Sequence, residues 1–346
     1  MALALDSLGM WDAAAGLPEQ VAEAAACQIE NADGLPAHDD IENVVILGMG
    51  GSGIAGDILL ASAAPFMAVP AVVVKSYTLP AFVNETSLVI AVSFSGDTEE
   101  TIEAASEAVV AGAQLVVVSG PGQLRDLADS WGAPYAAVLD APPVPRAGIG
   151  AVAIPPLLVL ESVGLFPGAR GWIDAAVAQL RRRRDQLIGA NSAAEQLARR
   201  IGGTIPLVHS SAALGAAAVT RWRSEINENA KSPAFTGVQP ELCHNEIVGW
   251  GQHGDITRQL ITLVQLRHDH EHPQVMRRFD LVSEIMREVV AGVEVVEAEG
   301  EGELAQLFDL VIQGDFVSLH MADQQGIDPG PTPILSELKN QLAVAP

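Results

Sequence analysis

Short runs of consecutive apolar residues recur along the first part of the chain, and stretches with helical spacing of apolar residues separate them. The clearest run is Val44–Leu47, which is unbroken and is followed by glycine. Such runs are typical of strands that are buried on both faces of a parallel sheet. The pattern predicts strands at residues 44–47, 71–74, 88–92, 114–118 and 135–139, and helices at residues 6–29, 98–111 and 124–130.

Pro142, Pro143 and Pro145 mark a break in this pattern, which starts again after Gly202-Gly203. Helices are predicted in between, at residues 150–163 and 172–187. The second part is predicted to contain strands at residues 205–208, 259–266 and 293–296, and helices at residues 212–230, 273–290, 303–321 and 332–342.

Strands and helices alternate in both parts, and the first strand, turn and helix of each part are comparable, which indicates a weak internal duplication. We therefore predict an α/β fold with two three-layer α/β/α sandwiches and mostly parallel sheets. Residues 1–165 are predicted to form the first domain with an N-terminal helix. Residues 166–203 form a helical connection, and residues 204–346 form the second domain with a C-terminal helix.

Composition and charge narrow the classes of function. Apolar residues make up 49% of the 346 residues, which allows a large core and excludes global disorder. The 43 acidic residues outnumber the 19 Lys and Arg residues, and the net charge of −24 argues against nucleic-acid binding. An anionic ligand would therefore need a local site that overcomes the overall charge.

Several features indicate a cytoplasmic protein. Two cysteines, Cys27 and Cys243, are too few for a disulfide framework and form no CxxC motif, which favours a reducing compartment. The N-terminal residues lack the basic region of a secretion signal. The uncharged apolar stretch at residues 147–160 contains Pro155 and Pro156 and is too short to cross a membrane, so we expect no membrane partner.

Two charged clusters have a functional and a simpler interpretation. Arg181–Arg184 could form an anion-binding patch, but four consecutive helical residues point in four directions, which favours a solvated helix face. The segment His268–His272 has three histidines at alternating positions, a spacing that could hold a metal. It lies between a predicted strand and Pro273, so a polar loop is favoured and no metal site is predicted.

Residues 48–53, Gly-Met-Gly-Gly-Ser-Gly, lead from a buried strand into a helix. Glycine lets the backbone approach a ligand closely, and a helix N-terminus offers free N–H groups to an anion. The segment lacks the Gly-Lys-Ser/Thr of a nucleotide-binding loop, and no acidic residue closes the next strand. We favour a phosphate site, with Gly51 and Ser52 as binding residues, over a tight turn without a ligand.

A second polar segment, Ser93–Thr101, also follows a strand and precedes a helix. Its residues Ser93, Ser95 and Thr98 put three hydroxyls beside a helix N-terminus. Hydroxyls and free N–H groups can hold a phosphate without Lys or Arg, which would explain how an acidic protein binds an anion. Thr98 could also cap the helix within a capping box, and the two interpretations are compatible.

The two segments together resemble the SIS (sugar isomerase) domain, and the whole chain resembles the bifunctional phosphoglucose/phosphomannose isomerase family of archaea and some bacteria. Further motifs carry this resemblance from one end of the chain to the other: Pro145-Arg146, Arg221–Lys231 (RWRSEINENAK), Glu241–Glu246 (ELCHNE), Gly314-Asp315, Gly326–Pro329 (GIDP) and Leu338-Lys339. The resemblance implies two SIS domains and a homodimer with active sites at the subunit interface.

The resemblance also implies a reaction: isomerisation of glucose 6-phosphate, and of mannose 6-phosphate, to fructose 6-phosphate through an enediolate, without a metal or a redox cofactor. An acid/base pair must open the sugar ring, a carboxylate must move a proton between C1 and C2, and a cation must stabilise the enediolate.

By the same resemblance, Glu228 is the base, His244 opens the ring in the partner subunit's site, and Arg146 stabilises the enediolate. Lys339 assists ring opening, and Thr332 shapes the space around C2. The simpler interpretation of each charged residue is a solvated side chain. Two alternatives to this enzyme are a sugar-phosphate sensor without catalysis, which would not need these charged residues together, and an amino-sugar phosphate isomerase.

Three positions need separate comment. The family often has Tyr and Asn where Phe94 and Asp97 stand. We expect Phe94 to keep the packing, whereas Asp97 adds a negative charge near the predicted phosphate. Glu225 lies three residues before Glu228, and we interpret it as a neighbour of the base or as a surface carboxylate.

Overall fold

The computed structural model describes residues 5–138 and 142–343. Six strands from the first part of the chain form one sheet: β1 (Ile29–Glu30), β2 (Asn43–Leu47), β3 (Ala71–Val74), β4 (Ser87–Ser93), β5 (Gln114–Ser119) and β6 (Tyr135–Ala137). Their order is β1-β6-β5-β4-β2-β3, and every pair is parallel except β1 with β6. The helices of this part are α1 (Met10–Ala15), α2 (Leu17–Ala24), α3 (Gly50–Ser62), α4 (Glu99–Val110), α5 (Gln123–Trp131) and α6 (Ile149–Ser162).

Alternate residues of each strand face opposite layers of helices, as the pleat of a strand requires. In β2, Val44 and Ile46 belong to a core shared with α3 and α6, whereas Val45 and Leu47 belong to a core shared with α4 and α5. This is why the strand has no polar position, and it makes the first sheet the middle layer of an α/β/α sandwich.

Four further strands form a second, wholly parallel sheet: β7 (Ile205–Ser211), β8 (Phe235–Gln239), β9 (Ile261–Arg267) and β10 (Gly292–Glu297). Its order, β10-β9-β7-β8, repeats the order β5-β4-β2-β3 of the first sheet, which supports the predicted internal duplication. The remaining helices are α7 (Ala169–Leu187), α8 (Ala193–Ile201), α9 (Leu214–Asn229), α10 (Gly254–Leu260), α11 (Pro273–Met286), α12 (Glu303–Gln324) and α13 (Pro333–Ala343). One core joins the inward faces of both sheets through α3, α6, α9 and α12.

The predicted α/β class and mostly parallel sheets are confirmed. The predicted strands lie within two residues of their observed bounds, except that β7 extends three residues beyond the predicted 205–208 and that Leu139 is outside the described residues. The N-terminal helix is broken at Gly16 into α1 and α2. Residues 259 and 260, predicted as strand, end α10 instead. The sequence analysis missed β1, β8, α8 and α10. Strand β8 has a glycine and lies at an edge of its sheet, so it lacks an unbroken apolar run. The domain boundaries remain a prediction.

The interpretation of Arg181–Arg184 as a solvated face is wrong for Arg183. Its side chain is buried, and its Nε and Nη2 donate to the two carboxylate oxygens of Asp309 at 2.8 and 2.9 Å. Arg183 lies three residues after the buried Leu180, so it faces α12 with the apolar stripe of α7. None of the described helices has the length and apolar character needed to cross a membrane.

Candidate active site

The strand order of the first sheet reverses between β2 and β4, whose carboxyl ends are neighbours. Helix α3 leaves β2 toward one face of the sheet, and α4 leaves β4 toward the other. Ligands of open parallel sheets bind at such a reversal. Two segments meet here, which we call the glycine loop (Gly48–Gly53) and the hydroxyl loop (Ser93–Thr98). The backbone N–H of Phe94 donates to Ser52 Oγ at 3.0 Å, so the two loops are directly joined.

The hydroxyl loop keeps its polar groups close together. Ser93 Oγ accepts from the N–H of Gly96 at 3.0 Å and lies 3.0 Å from Thr98 Oγ1. Ser95 is exposed, and its Oγ accepts from the N–H of Asp97 at 3.2 Å. The side chain of Thr98 makes no hydrogen bond that caps α4, so the capping-box interpretation is wrong. Helix α3 also begins without a side-chain cap. Neither helix N-terminus is occupied by its own N-cap side chain, as an anion site requires.

The two departures from the family pattern have clear places in the structure. Asp97 Oδ1 accepts from the N–H of Gln123 at 2.8 Å, at the first residue of α5, where a negative charge is favourable. Phe94 packs against the central core and against Gly148, where a Cβ would lie 2.2 Å from the ring. The Asp97 carboxylate is therefore held by a third helix, and Phe94 keeps a packing role.

Arg146 lies in a short 3₁₀ helix, Pro145–Gly148, that contacts the glycine loop. A Cβ at Gly51 would lie 3.3 Å from the Pro145 carbonyl oxygen, which explains why glycine is needed at that point. The Arg146 side chain is buried. Its Nε donates to Asn229 Oδ1 at 2.8 Å, and its Nη2 donates to the carbonyl oxygens of Pro329 at 2.6 Å and Gly330 at 2.7 Å.

Glu228 lies in the last turn of α9 and meets Arg146 from the other side. Glu228 Oε2 is 3.4 Å from Arg146 Nη1, and the Glu228 side chain is 32% exposed. The structure thus brings together two predicted site residues that are 82 positions apart in the sequence. A carboxylate that is partly open to solvent and loosely paired with a cation can accept a proton from a bound ligand.

A buried charged cluster lies behind this pair. Arg221 Nε donates to Asp315 Oδ1 at 3.0 Å, and Arg221 Nη1 donates to the Arg146 carbonyl oxygen at 2.8 Å. Glu225 Oε1 is 2.6 Å from Arg221 Nη1. Burial raises the pKa of Glu225 to about 8, although Arg221 opposes the shift. Burial also raises the pKa of Asp315. Glu225 is a neighbour of Glu228, as predicted, but the alternative of a surface carboxylate is wrong.

The loop Asp328–Gly330, which supplies the two carbonyl oxygens for Arg146, is itself held in place. Asp328 Oδ1 accepts from the N–H groups of Gly330 at 3.0 Å and Ser7 at 3.3 Å. Leu8 packs on Gly330, where a Cβ would lie 2.8 Å from Leu8 Cγ. Lys231 Nζ donates to the Pro329 carbonyl oxygen at 3.1 Å. Burial and the charge of Arg146 lower the pKa of Lys231.

The other predicted catalytic residues are not joined to this pair by any hydrogen bond or ion pair within the described ranges. His244 is exposed in a 3₁₀ helix, Glu241–His244, and Lys339 is exposed on α13. Thr332 follows Gly330 by two residues, so it is near the loop Asp328–Gly330, which contacts Arg146. It precedes the first residue of α13, so the prediction that Thr332 lies within the last helix is wrong.

At the corresponding end of the second sheet, two histidines make side-chain contacts. His209 is fully buried, and its Nε2 lies 2.9 Å from Glu246 Oε1. Ser211 Oγ lies 2.6 Å from His268 Nε2, and burial lowers the pKa of His268 to about 4. The described residues contain no cluster of three or more His, Cys, Asp or Glu side chains that could hold a metal ion.

Sequence analysis missed Asn229 and the carbonyl groups of Pro329 and Gly330 as neighbours of Arg146. Arg221, Glu225 and Asn229 follow one another at intervals of four and are all buried, so a polar stripe on the inner face of α9 was a usable signal. Carbonyl oxygens belong to every residue, and no sequence signal could have identified these two.

Comparisons with known proteins identify relatives of this chain. Residues 190–342 match the family described as the bacterial phospho-glucose isomerase C-terminal SIS domain. The bifunctional phosphoglucose/phosphomannose isomerase of Caldicellulosiruptor bescii is 32% identical over 338 residues, which cover 96% of this chain and 99% of that protein. The Aquifex aeolicus protein of the same name is 30% identical, over 87% of this chain and 90% of its own length.

Among solved structures, the C-terminal domain of glucosamine-fructose-6-phosphate aminotransferase from Francisella tularensis superposes with a TM-score of 0.69. The identity is 15%, and the match covers 92% of this chain and 97% of that chain, so the likeness shows the fold alone. The two full-length relatives identify the family. The chain belongs to the bifunctional phosphoglucose/phosphomannose isomerase family.

Proposed function

We propose that the protein is an aldose–ketose isomerase that interconverts glucose 6-phosphate and mannose 6-phosphate with fructose 6-phosphate. The names of the relatives supply both aldoses. The observation that carries the proposal is the position of Glu228 and Arg146, which are 3.4 Å apart, while the backbone of Pro145-Arg146 packs against Gly51 at the uncapped start of α3, itself joined to the hydroxyl loop through Ser52. A proton-transfer pair and an anion site are thus within reach of one small molecule.

In this proposal the phosphate binds where the glycine loop and the hydroxyl loop meet. Gly51, Ser52, Ser93, Ser95 and Thr98 supply backbone N–H groups and hydroxyls at the starts of α3 and α4. The two helix dipoles favour an anion at this point in spite of the acidic composition. The Asp97 carboxylate accepts a hydrogen bond at the N-terminus of α5, so its negative charge is compensated there and does not oppose the proposed phosphate site.

Glu228 acts as the base on the open-chain sugar. The bond between C2 and its hydrogen breaks, the proton moves to the Glu228 carboxylate, and the electron pair forms the C1–C2 double bond of the enediolate. Negative charge that develops on the sugar oxygen is stabilised by the guanidinium of Arg146. Return of the proton to C1, with transfer of the O2 hydroxyl proton to O1, gives the ketose. Thr332, beside the loop Asp328–Gly330, borders the space around C2.

Ring opening is assigned to His244 and Lys339, and His244 acts in the site of a second subunit. The exposure of His244, which makes no hydrogen bond to Glu228 within the described residues, supports this assignment. Helix α13 supports a homodimer as well, because it exposes Ile334, Leu338 and Leu342 at intervals of four, an apolar stripe that a second copy would cover.

The proposed reaction requires no metal and no redox cofactor, and it takes place in the cytoplasm, where Cys27 and Cys243 remain thiols. The test is a coupled assay of the purified protein on both aldose phosphates, with and without EDTA. We expect turnover of both that EDTA does not reduce. Binding of both sugars without turnover would favour a sensor, and turnover of amino-sugar phosphates alone would favour the related isomerase.

A further inference from the structure

Two buried arginines lie side by side in this molecule, and the chemical groups around them differ. Arg221 faces the carboxyl groups of Glu225 and Asp315. Three of the five N–H groups of Arg146 are instead held by neutral oxygens, those of Asn229, Pro329 and Gly330. We propose that Asn229 is a positioning residue: its amide fixes the direction of the Arg146 guanidinium without neutralising the positive charge. The inference rests on the proposed function, because it concerns the cation of that reaction.

The hydrogen bonds around Asn229 allow only one orientation of its amide. Asn229 Nδ2 donates to Glu225 Oε2 at 2.9 Å and to Ser318 Oγ at 2.9 Å. The hydroxyl hydrogen of Ser318 is used in a bond of 2.7 Å to the Asp315 carbonyl oxygen, so Ser318 Oγ can only accept from Asn229. The amide nitrogen therefore faces two acceptors, and Oδ1 must face Arg146 Nε. All the hydrogen-bonding groups of Asn229 are buried and occupied.

This arrangement determines which edge of Arg146 remains for a ligand. Nε and Nη2 are occupied, and Nη1 is the nitrogen that faces Glu228 Oε2 at 3.4 Å. A sugar oxygen that develops negative charge next to Glu228 would meet this Nη1 edge. A rotation of the guanidinium would break the bond to Asn229 and both carbonyl contacts, so the edge is set before the ligand arrives.

The neutrality of Asn229 matters because a carboxylate at the same distance would compete with the enediolate for the charge of Arg146. The attraction between unit charges a few ångströms apart is much stronger in a buried site than in water. Arg221 shows that a buried arginine in this cluster can carry carboxylate partners. Arg146 lacks one at Nε and Nη2, and its only carboxylate contact within the described residues is the loose one with Glu228.

The test is Asn229→Asp, which keeps the size and the Nε acceptor but adds a negative charge. We expect kcat for glucose 6-phosphate to fall by about 10- to 100-fold, as for the loss of a strong charge-stabilising contact. KM should stay within about threefold, since the phosphate site is separate. Affinity for the hydroxamate of a five-carbon aldonic acid 5-phosphate, which mimics the enediolate, should fall in proportion to kcat. Asn84→Asp, on an exposed loop, adds the same charge and should leave kcat unchanged.

Thermal unfolding of each variant shows whether it is folded. If Asn229→Asp does not fold, Asn229→Ala removes the acceptor without adding charge, and the same split between kcat and KM is expected. An active wild-type protein whose folded Asn229 variants keep kcat within about threefold, or lose hydroxamate and substrate affinity equally, would overturn the positioning role alone. A wild-type protein without turnover would overturn the proposed function and this inference with it.

Discussion

The two sheets of this protein have the same strand order, but the segments that follow their central strands differ in chemistry. After β2 the chain continues through four glycines into α3, and both α3 and α9 begin without a side-chain cap. At the carboxyl end of β7, Ser211 is bonded to His268 and His209 is bonded to Glu246. Topology places both segments at a sheet end where ligands can bind, but glycines follow the first strand and bonded polar side chains end the second. Strand order therefore indicates where to look for a site, and the composition of the two ends distinguishes them.

The contacts at this end of the second sheet hold the segment that carries His244. Glu246 follows His244 by two residues, and it accepts hydrogen bonds from His209 and from Trp250 Nε1 at 3.2 Å. The segment that carries His244 is thereby fixed to the central strand of the second sheet. In the proposed function, phosphate binding is assigned to the first half, and His244 and Glu228 are both assigned to the second half.

The sharpest test of this division is Glu228→Gln. A general base must ionise, so we expect turnover to fall by about 100-fold or more, while binding of fructose 6-phosphate changes by less than about threefold because the phosphate site lies in the other half. Turnover should be measured with the coupled assay, and binding of fructose 6-phosphate by calorimetry on the same preparation. Loss of binding with unchanged turnover of the bound substrate would contradict the role of Glu228.

The proposed sharing of a site between subunits can be tested by an assembly experiment, since Glu228 and His244 of one site would come from different chains. Glu228→Gln and His244→Ala are each expected to be inactive. Coexpressed chains that pair at random should form mixed dimers with one intact site, and recover about a quarter of the wild-type activity. Mass spectrometry should verify the mixed dimers. Verified mixed dimers without activity would mean that one chain builds each site.

Alanine variants of hydroxyl residues at the two sheet ends test the difference between those ends. Ser95→Ala and Thr98→Ala should each raise KM, by a few-fold to about 100-fold, because each removes a hydrogen bond to a charged group. Ser211→Ala, at the equivalent end of the second sheet, should leave KM within about twofold. Equal effects on KM at the two ends would show that the phosphate is not held by the hydroxyl loop.

The smallest expected effect concerns stability and pH, and it has opposite signs at two glutamates. Burial raises the pKa of Glu225 from 4.5 to about 8, so the folded chain holds a proton in this window that the unfolded chain has released. Stability should then decrease as the pH rises from about 4.5 to 8. For Glu246 burial acts upward, but the hydrogen bond and charge of His209 outweigh it, and the pKa is lowered. Its contribution is present above pH 4.5 and is lost as the pH falls through the lowered value.

Thermal melts of Glu225→Gln and Glu246→Gln across pH check these signs. Glu225→Gln should flatten the decline in Tm between about pH 5 and 8, whereas Glu246→Gln should flatten the decline on the acid side. Unchanged pH profiles in both variants would show that neither carboxyl group couples folding to protonation.

The sequence predicts those elements of this molecule whose local residue pattern is compatible with only one structure. Unbroken apolar runs such as Val44–Leu47 gave the strands, because only a strand covered on both faces has no polar position. The glycine loop and the hydroxyl loop were identified because glycines or hydroxyl side chains between a buried strand and a helix indicate an anion site. The partners of Arg146 were not found, because Asn229 reaches it from 83 positions away and the remaining partners are backbone atoms. Burial of Glu225 and Arg183 depends on which helix packs on them, and that is a tertiary property.

The loop Asp328–Gly330 has a consequence for anyone who alters the chain near its ends. Ser7 and Leu8 hold this loop from one terminal region, and α13 leaves it toward the other. An affinity tag, a fusion partner or a trimmed terminus on either side can thus move the carbonyl oxygens of Pro329 and Gly330, and with them the guanidinium of Arg146. Preparations that differ only in their tags should be compared for kcat before any variant is measured, and circular permutants should be opened elsewhere.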